Sequence, residues 1–112
     1  MSNAKVLERK VFYAGQKIFS EGDRGDRAYL IQEGTVEIVK NEAVLARLNK
    51  GEIFGEMALV DDQPRMATAR AGSDVSVVII GREAFREKLQ KADPFIRGLL
   101  SIFVRNIRKL SQ

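Results

Sequence analysis

Residues 28–48 read AYLIQEGTVEIVKNEAVLARL, and this stretch decides the fold class. Two short runs, Ala28–Ile31 and Thr35–Val39, lie on either side of a turn at Glu33-Gly34. In the second run apolar and charged residues alternate, which is the period of a half-buried strand. A further turn then leads into a third run, Ala43–Leu48. The pattern predicts short antiparallel strands joined by tight turns.

Similar runs and turns continue on both sides of this stretch, from about residue 10 to residue 80. Ser76–Ile80 is an apolar run that suits a buried strand. Further glycine-bearing turns lie at Ala14-Gly15, Glu21-Gly22, Arg24-Gly25, Lys50-Gly51 and Ala71-Gly72. For any single one of these glycines, turn formation is a sufficient explanation. Many short strands at this spacing predict an antiparallel sandwich or barrel.

The hydrophobic period changes near residue 82, where two helices are predicted. In Arg82–Lys91 the apolar residues Phe85 and Leu89 are four positions apart. Asp93-Pro94 then supplies an N-cap residue followed by a proline at the first helical position. The second helix, Pro94–Leu110, carries apolar residues at helical spacing and basic residues mostly elsewhere. Its pattern is typical of a core-facing amphipathic helix with a solvated basic side.

Composition limits the possible chemistry. The 112 residues, 45% of them hydrophobic, suit a single domain with one core. The chain contains no Cys and no His, which excludes disulfides, thiol nucleophiles and imidazole bases and removes the commonest zinc ligands. A net charge of +4 fits an anionic partner, but it does not distinguish a small phosphate ligand from a polymer.

The N-terminus and the apolar runs bear on location. Residues 2–4, Ser-Asn-Ala, resemble the remnant of a purification tag, so we separate residues 1–4 from a single domain at residues 5–112. The longest apolar runs are much shorter than the roughly 20 residues that span a bilayer, and the N-terminus lacks the pattern of a signal peptide. We expect a cytoplasmic protein without a membrane span.

The stretch that carries chemistry is 51–69, GEIFGEMALVDDQPRMATA. Gly55 lets the backbone turn tightly, and Glu56–Leu59 fits one helical turn whose free N–H groups face an anion. Pro64 stiffens the loop just before Arg65, whose permanently charged fork of donors suits a phosphate diester. Spacing alone is equally compatible with an ordinary loop that carries a surface charge.

Residues 55–59, GEMAL, and residues 64–68, PRMAT, resemble the phosphate-binding cassette of the cyclic-nucleotide-binding domain family. That family includes the bacterial catabolite activator protein and the regulatory subunits of cyclic-AMP-dependent protein kinase. The resemblance covers nearly the whole chain, because the turn glycines also match, namely Gly15, Gly22, Gly25, Gly34 and Gly51. It implies a mainly β fold, an antiparallel β-roll or jelly roll (double-stranded β-helix) over about 10–80, followed by two C-terminal helices at about 82–91 and 94–110.

The resemblance also implies roles for individual residues. Glu56 would accept a hydrogen bond from the ribose 2′-hydroxyl, while Arg65 and the backbone N–H groups of Met57 and Ala58 would hold the cyclic phosphate. The predicted ligand-binding residues are Gly55, Glu56, Met57, Ala58, Arg65, Met66, Ala67, Ile38 and Leu45, the last two as pocket-lining residues. No catalytic residue, metal site or catalytic cofactor is predicted.

Met66 bears on the choice of ligand. Relatives that favour cyclic GMP often carry Thr or Ser just after the arginine, and a thioether cannot donate the hydrogen bond that those hydroxyls provide. We therefore expect cyclic AMP to be favoured over cyclic GMP. An apolar residue at this position also fits a relaxed or lost specificity.

Function follows from the same resemblance. We expect a regulatory sensor, not an enzyme, in which cyclic-nucleotide occupancy is transmitted through the C-terminal helices to an effector domain of a longer parent protein. The alternative is a structural module with a degenerate roll that no longer binds nucleotide and whose terminal helix forms a homodimer. Phe95, Ile102 and Val104 widen the apolar stripe of that helix, which suits burial on two sides.

Two further functional classes have less support in the sequence. A cupin-like metal enzyme would use the same kind of barrel, but the chain has no His, and Asp61 and Asp62 fit a solvated loop better than a metal site. Nucleic-acid binding through the basic residues of the last helix is not expected, because a solvated charged face is the better explanation for them.

Overall fold

The computed structural model describes residues 7–59 and 62–111. The segment interpreted as a tag remnant, residues 1–4, lies outside the described residues, as does Asp61. Within the described ranges, eight strands form two antiparallel four-stranded sheets, and two helices follow them. The predicted fold class, mainly β with two C-terminal helices, is confirmed. No helix within the described residues is long and apolar enough to cross a membrane.

The strands are short, and each sheet combines segments that are distant in the sequence. One sheet has the order β1-β8-β3-β6 and the other β2-β7-β4-β5. Their bounds are β1 Leu7–Phe12, β2 Lys17–Phe19, β3 Arg27–Glu33, β4 Val36–Lys40, β5 Ala43–Leu48, β6 Ile53–Phe54, β7 Thr68–Ala71 and β8 Val75–Gly81. A single turn of 3₁₀ helix, Glu56–Leu59, lies between β6 and β7.

The first strand begins at Leu7, earlier than the predicted start near residue 10. Its sequence, LERKVF, does not alternate clearly between apolar and polar residues, and only Phe12 is buried. β1 is an edge strand that pairs with β8 alone. Backbone pairing with β8 therefore defines this strand, and such pairing leaves little trace in the hydrophobic pattern.

The turn between β4 and β5 comprises Asn41 and Glu42, with φ values of 52° and 66°. Positive φ at both central residues is typical of the two-residue hairpin turns whose twist matches that of the flanking strands. Further along the same hairpin, Ile38 pairs with Ala46 and Val39 pairs with Val44, so Leu45 is the extra residue of a β-bulge.

The core lies between the two sheets and is filled by alternate side chains of the strands. Ile31, Val36, Val75 and Val77 are almost completely buried, and burying each such side chain contributes about 1.5–3 kcal/mol. The buried cluster consists of Phe12, Tyr29, Ile31, Val36, Phe54, Ala69, Ala71, Val75, Val77 and Ile79.

The two helices, α1 (Arg82–Lys91) and α2 (Pro94–Ser111), start where the sequence pattern places them. The N-cap role of Asp93 is confirmed, because its Oδ1 accepts a hydrogen bond of 2.8 Å from the backbone N–H of Phe95. The prediction that α2 faces the core is wrong. Every described side chain of α2 is exposed, including Phe95 at 73% and Phe103 at 52%. Its apolar stripe is therefore not part of the core between the sheets.

Candidate functional site

The 3₁₀ turn begins immediately after Gly55, whose φ of +74° lies in the left-handed region that favours glycine. Ala58 and Leu59 are buried and anchor the turn to the body of the protein, while Glu56 is half-buried at its first position. The N–H of Ala58 donates a hydrogen bond of 3.2 Å to the carbonyl oxygen of Gly55. One of the two N–H groups predicted to face the phosphate is therefore engaged within the turn.

The backbone of Arg65 is held by a turn distant in the sequence. Its N–H donates to the carbonyl oxygen of Asp23, and its carbonyl oxygen accepts from the N–H of Gly22, both at 2.8 Å. Each bond joins residues more than 40 positions apart. This pairing places the arginine Cα beside the loop that leads into β3.

The guanidinium of Arg65 contacts the protein in three ways. Its Nη1 donates to the carbonyl oxygen of Gly55 at 3.2 Å, and its Nη2 donates to that of Arg27 at 2.9 Å. Its Cζ lies 4.0 Å from the centroid of the Phe19 ring, within the range of a cation–π interaction. The buried Nε has no hydrogen-bond partner among the described residues.

Two glycines provide the space for this guanidinium. A Cβ at Gly25 would lie 2.6 Å from Nη2 of Arg65, and a Cβ at Gly55 would lie 2.9 Å from Nη1. Gly25 is not among the glycines with positive φ. The interpretation of Gly25 as a turn residue alone is therefore wrong, because close approach of Arg65 is what requires a residue without a side chain.

The charge of Arg65 is poorly compensated. Burial lowers the pKa of Arg65 from its ordinary value, and the neighbouring cation Arg82 acts in the same direction, against the opposing influence of Tyr29, Asp23 and Asp26. Within the described part of the chain, Arg65 forms no ion pair. Burying a charge without a counterion is costly, so an anion that reached this guanidinium would supply the missing compensation.

Arg82, the first residue of α1, is a part of the site that sequence reasoning missed. Its Nε donates to the carbonyl oxygen of Ala58 at 2.7 Å, its Nη2 donates to that of Gly25 at 3.3 Å, and its Nη1 pairs with the carboxylate of Asp62. Its backbone N–H donates to the carbonyl oxygen of Asp26 at 2.8 Å. The sequence contained one sign of this role. Arg82 is a cation in the first turn of a predicted helix, where the helix dipole disfavours positive charge.

Arg65 and Arg82 therefore bridge the same two segments of backbone. Each arginine donates to the loop at residues 25–27 and to the segment at residues 55–58. The first arginine lies in the cassette and the second at the start of a helix. The cassette, the loop before β3 and α1 are in this way tied together by charge-assisted hydrogen bonds.

The predicted site residues differ in their contacts and in how far they are buried. Gly55, Ala58 and Arg65 are brought together through the contacts given above. Ile38 is half-buried and packs against the core cluster, and Ala67 is half-buried just before β7. The side chains of Leu45 and Met66 are mostly exposed, at 61% and 57%. Met57 is half-buried in the 3₁₀ turn.

Comparison with known proteins gives consistent matches. The family model of the cyclic nucleotide-binding domain matches residues 9–92. The cAMP-dependent protein kinase regulatory subunit of Debaryomyces hansenii is 38% identical over 96 residues, which cover 85% of this chain and 21% of that protein. The chain thus spans about one fifth of the length of this curated relative.

Solved structures agree with these matches. The halfsite-occupied form of the EAL enzyme Bd1971 superposes with a TM-score of 0.83 at 37% identity, covering 95% of this chain and 99% of that one. Structures of cAMP-bound and cGMP-bound forms of the same enzyme give TM-scores of 0.72 and 0.75 at 38% identity, covering 92% and 94% of this chain and 29% of each of theirs.

A third protein is similar in structure at lower sequence identity. The catabolite activator protein of Thermus thermophilus gives a TM-score of 0.77 at 28% identity, covering 96% of this chain and 53% of that one. The family match extends over most of the described chain and includes both halves of the cassette around Arg65. This chain therefore belongs to the cyclic nucleotide-binding domain family.

Proposed function

We propose that the site around Arg65 binds the cyclic phosphate of cyclic AMP, in preference to cyclic GMP, and that the domain is a regulatory module without catalytic activity. The observation that carries this proposal is the state of Arg65. Its guanidinium is partly buried, forms no ion pair among the described residues and keeps Nε without a partner. A cyclic phosphate carries one negative charge, so it supplies the counterion that this guanidinium lacks.

Glu56 has the complementary role in this proposal. Glu56 is a half-buried residue at the start of the 3₁₀ turn, directly after Gly55, whose carbonyl oxygen accepts a hydrogen bond from Arg65. A carboxylate repels a phosphate placed beside it, so Glu56 accepts a hydrogen bond from the ribose 2′-hydroxyl instead. Ile38, Leu45, Met57, Met66 and Ala67 complete the proposed pocket, with Met57 contributing its backbone N–H.

The preference for cyclic AMP rests on Met66. Its side chain is 57% exposed and has no donor for a guanine base or for the phosphate. The EAL enzyme Bd1971, which resembles this chain, has both cAMP-bound and cGMP-bound structures. Since both ligands are found bound to that enzyme, we infer that base preference here depends on the few side chains near the base.

Isothermal titration calorimetry of the wild type with cyclic AMP, cyclic GMP and AMP tests the proposal. Arg65→Ala removes a charged hydrogen bond worth about 1.5–3 kcal/mol, so its affinity for cyclic AMP should fall roughly ten- to a hundredfold. The matched control is Arg86→Ala, at an exposed position of α1, which should retain wild-type affinity. Equal affinity of wild type and Arg65→Ala would refute the phosphate site.

The regulatory part of the proposal concerns the helices. In the curated relative the matched region is about one fifth of a longer protein. We infer that ligand occupancy changes the position of α1 and α2 relative to the sheets and that an effector reads this change. The hydrogen bonds from Arg82 to the cassette supply a direct connection between the site and α1.

A second candidate function is homodimerisation through α2. Phe95, Ile96, Leu99, Leu100, Ile102 and Phe103 are 37–73% exposed along this helix, and a contiguous apolar surface of this kind is typical of an interface. Light scattering should detect a dimer that Phe103→Glu dissociates. A wild type that stays monomeric at high concentration, with and without cyclic nucleotide, would exclude this function.

A further inference from the structure

Phe19 connects the core to the proposed phosphate site. It ends β2 and is half-buried. Its ring centroid lies 6.0 Å from that of Tyr29 and 6.1 Å from that of Phe54, both of which belong to the buried cluster. The same ring lies 4.0 Å from Cζ of Arg65. An aromatic side chain that is held by the core therefore forms one wall of the space occupied by the guanidinium.

The remaining contacts of the guanidinium lie along its N–H bonds. Nη1 and Nη2 donate to the carbonyl oxygens of Gly55 and Arg27. Two hydrogen bonds of this kind orient the group, and the contact with the Phe19 ring holds it at a third point. A Cβ at Gly55 would also lie 3.3 Å from Cε2 of Phe19. Arg65, Phe19 and Gly55 are therefore closely packed, and little room is left for another arginine rotamer.

We propose that Phe19 is a positioning residue for phosphate recognition, because its ring, held by the core, fixes the Arg65 guanidinium in one orientation beside the cassette. This inference rests on the proposed function. The quadrupole of the ring attracts a cation, and the attraction is stronger where water is excluded. Phe19 thereby compensates part of the cost of burying Arg65 before the anion arrives, and binding then requires less ordering of the arginine.

An aliphatic residue at position 19 separates this role from ordinary packing. Phe19→Leu keeps an apolar side chain against the core but removes the aromatic face. We expect the affinity for cyclic AMP, measured by calorimetry, to fall about 2- to 30-fold. Phe12→Leu is the matched control, since Phe12 is a core aromatic residue that is 5% exposed and belongs to the same buried cluster. It should lower the melting temperature without changing the affinity.

A double-mutant cycle gives the decisive comparison. If Phe19 acts through Arg65, then Phe19→Leu should have no further effect on affinity in an Arg65→Ala background. The same fold-loss in both backgrounds would show a merely structural role and overturn the inference. Unchanged affinity in Phe19→Leu would overturn it as well, while binding by the wild type and its loss in Arg65→Ala would leave the proposed function intact.

Nuclear magnetic resonance provides a readout without ligand. In the wild type we expect the Arg65 Nε–Hε group to be ordered on the nanosecond timescale and its signal to be displaced by the ring current of Phe19. Phe19→Leu should lower its order parameter and remove the displacement, whereas Phe12→Leu should change neither. A mobile Nε–Hε group in the wild type would overturn the inference. A wild type that binds neither cyclic AMP nor cyclic GMP would overturn both this inference and the proposed function.

Discussion

Arg82 donates a hydrogen bond of 2.7 Å from its Nε to the carbonyl oxygen of Ala58, so the first residue of α1 is bonded directly to the 3₁₀ turn of the cassette. The Arg82 side chain is only 15% exposed. A displacement of the turn therefore changes bonds that α1 makes at its first residue. Coupling between a site and a helix requires such a differential contact in the two states.

Replacing Arg82 tests this connection. Arg82→Ala removes charge-assisted hydrogen bonds to two backbone carbonyls, and we expect the free energy of unfolding to fall by about 2–3 kcal/mol in urea titrations. Hydrogen exchange of α1 should become faster, and the protection of α1 on addition of cyclic AMP should be lost. The exposed Arg86→Ala in the same helix is the control. Ligand-induced protection that persists in Arg82→Ala would refute the coupling.

Gly25→Ala should impair the site while leaving the turn intact. The new Cβ would lie 2.6 Å from Nη2 of Arg65, so the guanidinium must move and its bond to the Arg27 carbonyl is lost. We expect the affinity for cyclic AMP to fall about tenfold or more, since a lost charged hydrogen bond costs about 1.5–3 kcal/mol. Calorimetry measures this loss.

Gly98→Ala is the glycine control for that substitution. Gly98 lies inside α2, and a Cβ there meets no atom within 4 Å. Alanine favours a helix interior over glycine by about 0.5–1 kcal/mol, so this variant should be slightly more stable and bind cyclic AMP normally. If Gly25→Ala also bound normally, the space requirement of Arg65 would be contradicted.

Asp93→Ala should destabilise the start of α2. The carboxylate accepts a hydrogen bond of 2.8 Å from the Phe95 N–H, and loss of such an N-cap costs about 1 kcal/mol. Circular dichroism should show lower helix content on heating. Asp93→Asn retains an acceptor oxygen and should behave like the wild type; equal stability of the alanine variant would show that the cap contributes nothing.

Glu37 makes the stability of the folded state depend on pH, and the sign of this dependence follows from its contacts. It accepts hydrogen bonds of 3.2 and 2.6 Å from Nε and Nη2 of Arg70 and pairs with Arg47 at 3.5 Å. The hydrogen bond from Arg70 lowers the pKa of Glu37 below its ordinary value in the folded state. The unfolded state therefore binds more protons in the window between the two pKa values, and the stabilisation is present above about pH 4.3 and lost as the pH falls through the folded value.

Denaturant titrations between about pH 5 and pH 2 measure this dependence. In Glu37→Gln the loss of stability on acidification should be smaller than in the wild type, because the carboxylate is no longer present to be protonated. Glu87→Gln, at an exposed position of α1, is the control. An identical decline in wild type and Glu37→Gln would contradict the assignment.

Local features of this protein were predictable from the sequence. The left-handed turn at Gly55 and the Asp93-Pro94 helix start depend on adjacent residues, so their residue types identify them. Within residues 28–48, β4 was predictable from its alternation of apolar and charged residues, and β3 and β5 were predictable as short apolar runs bounded by turns, although β5 has no buried residue. The edge strand β1 was placed less well, because it is formed mainly by pairing with β8.

The sequence by itself determined the fold class and the starts of both helices, and its resemblance to a family predicted the cassette with Gly55, Glu56 and Arg65. Only the tertiary structure decided what surrounds Arg65. Phe19, Gly25 and Arg82 meet at that arginine and at the cassette because β2 pairs with β7 and β3 pairs with β8. The tertiary structure alone also decided that α2 lies outside the core. Periodicity records which face of an element is apolar, whereas strand order and register decide which distant residues that face meets.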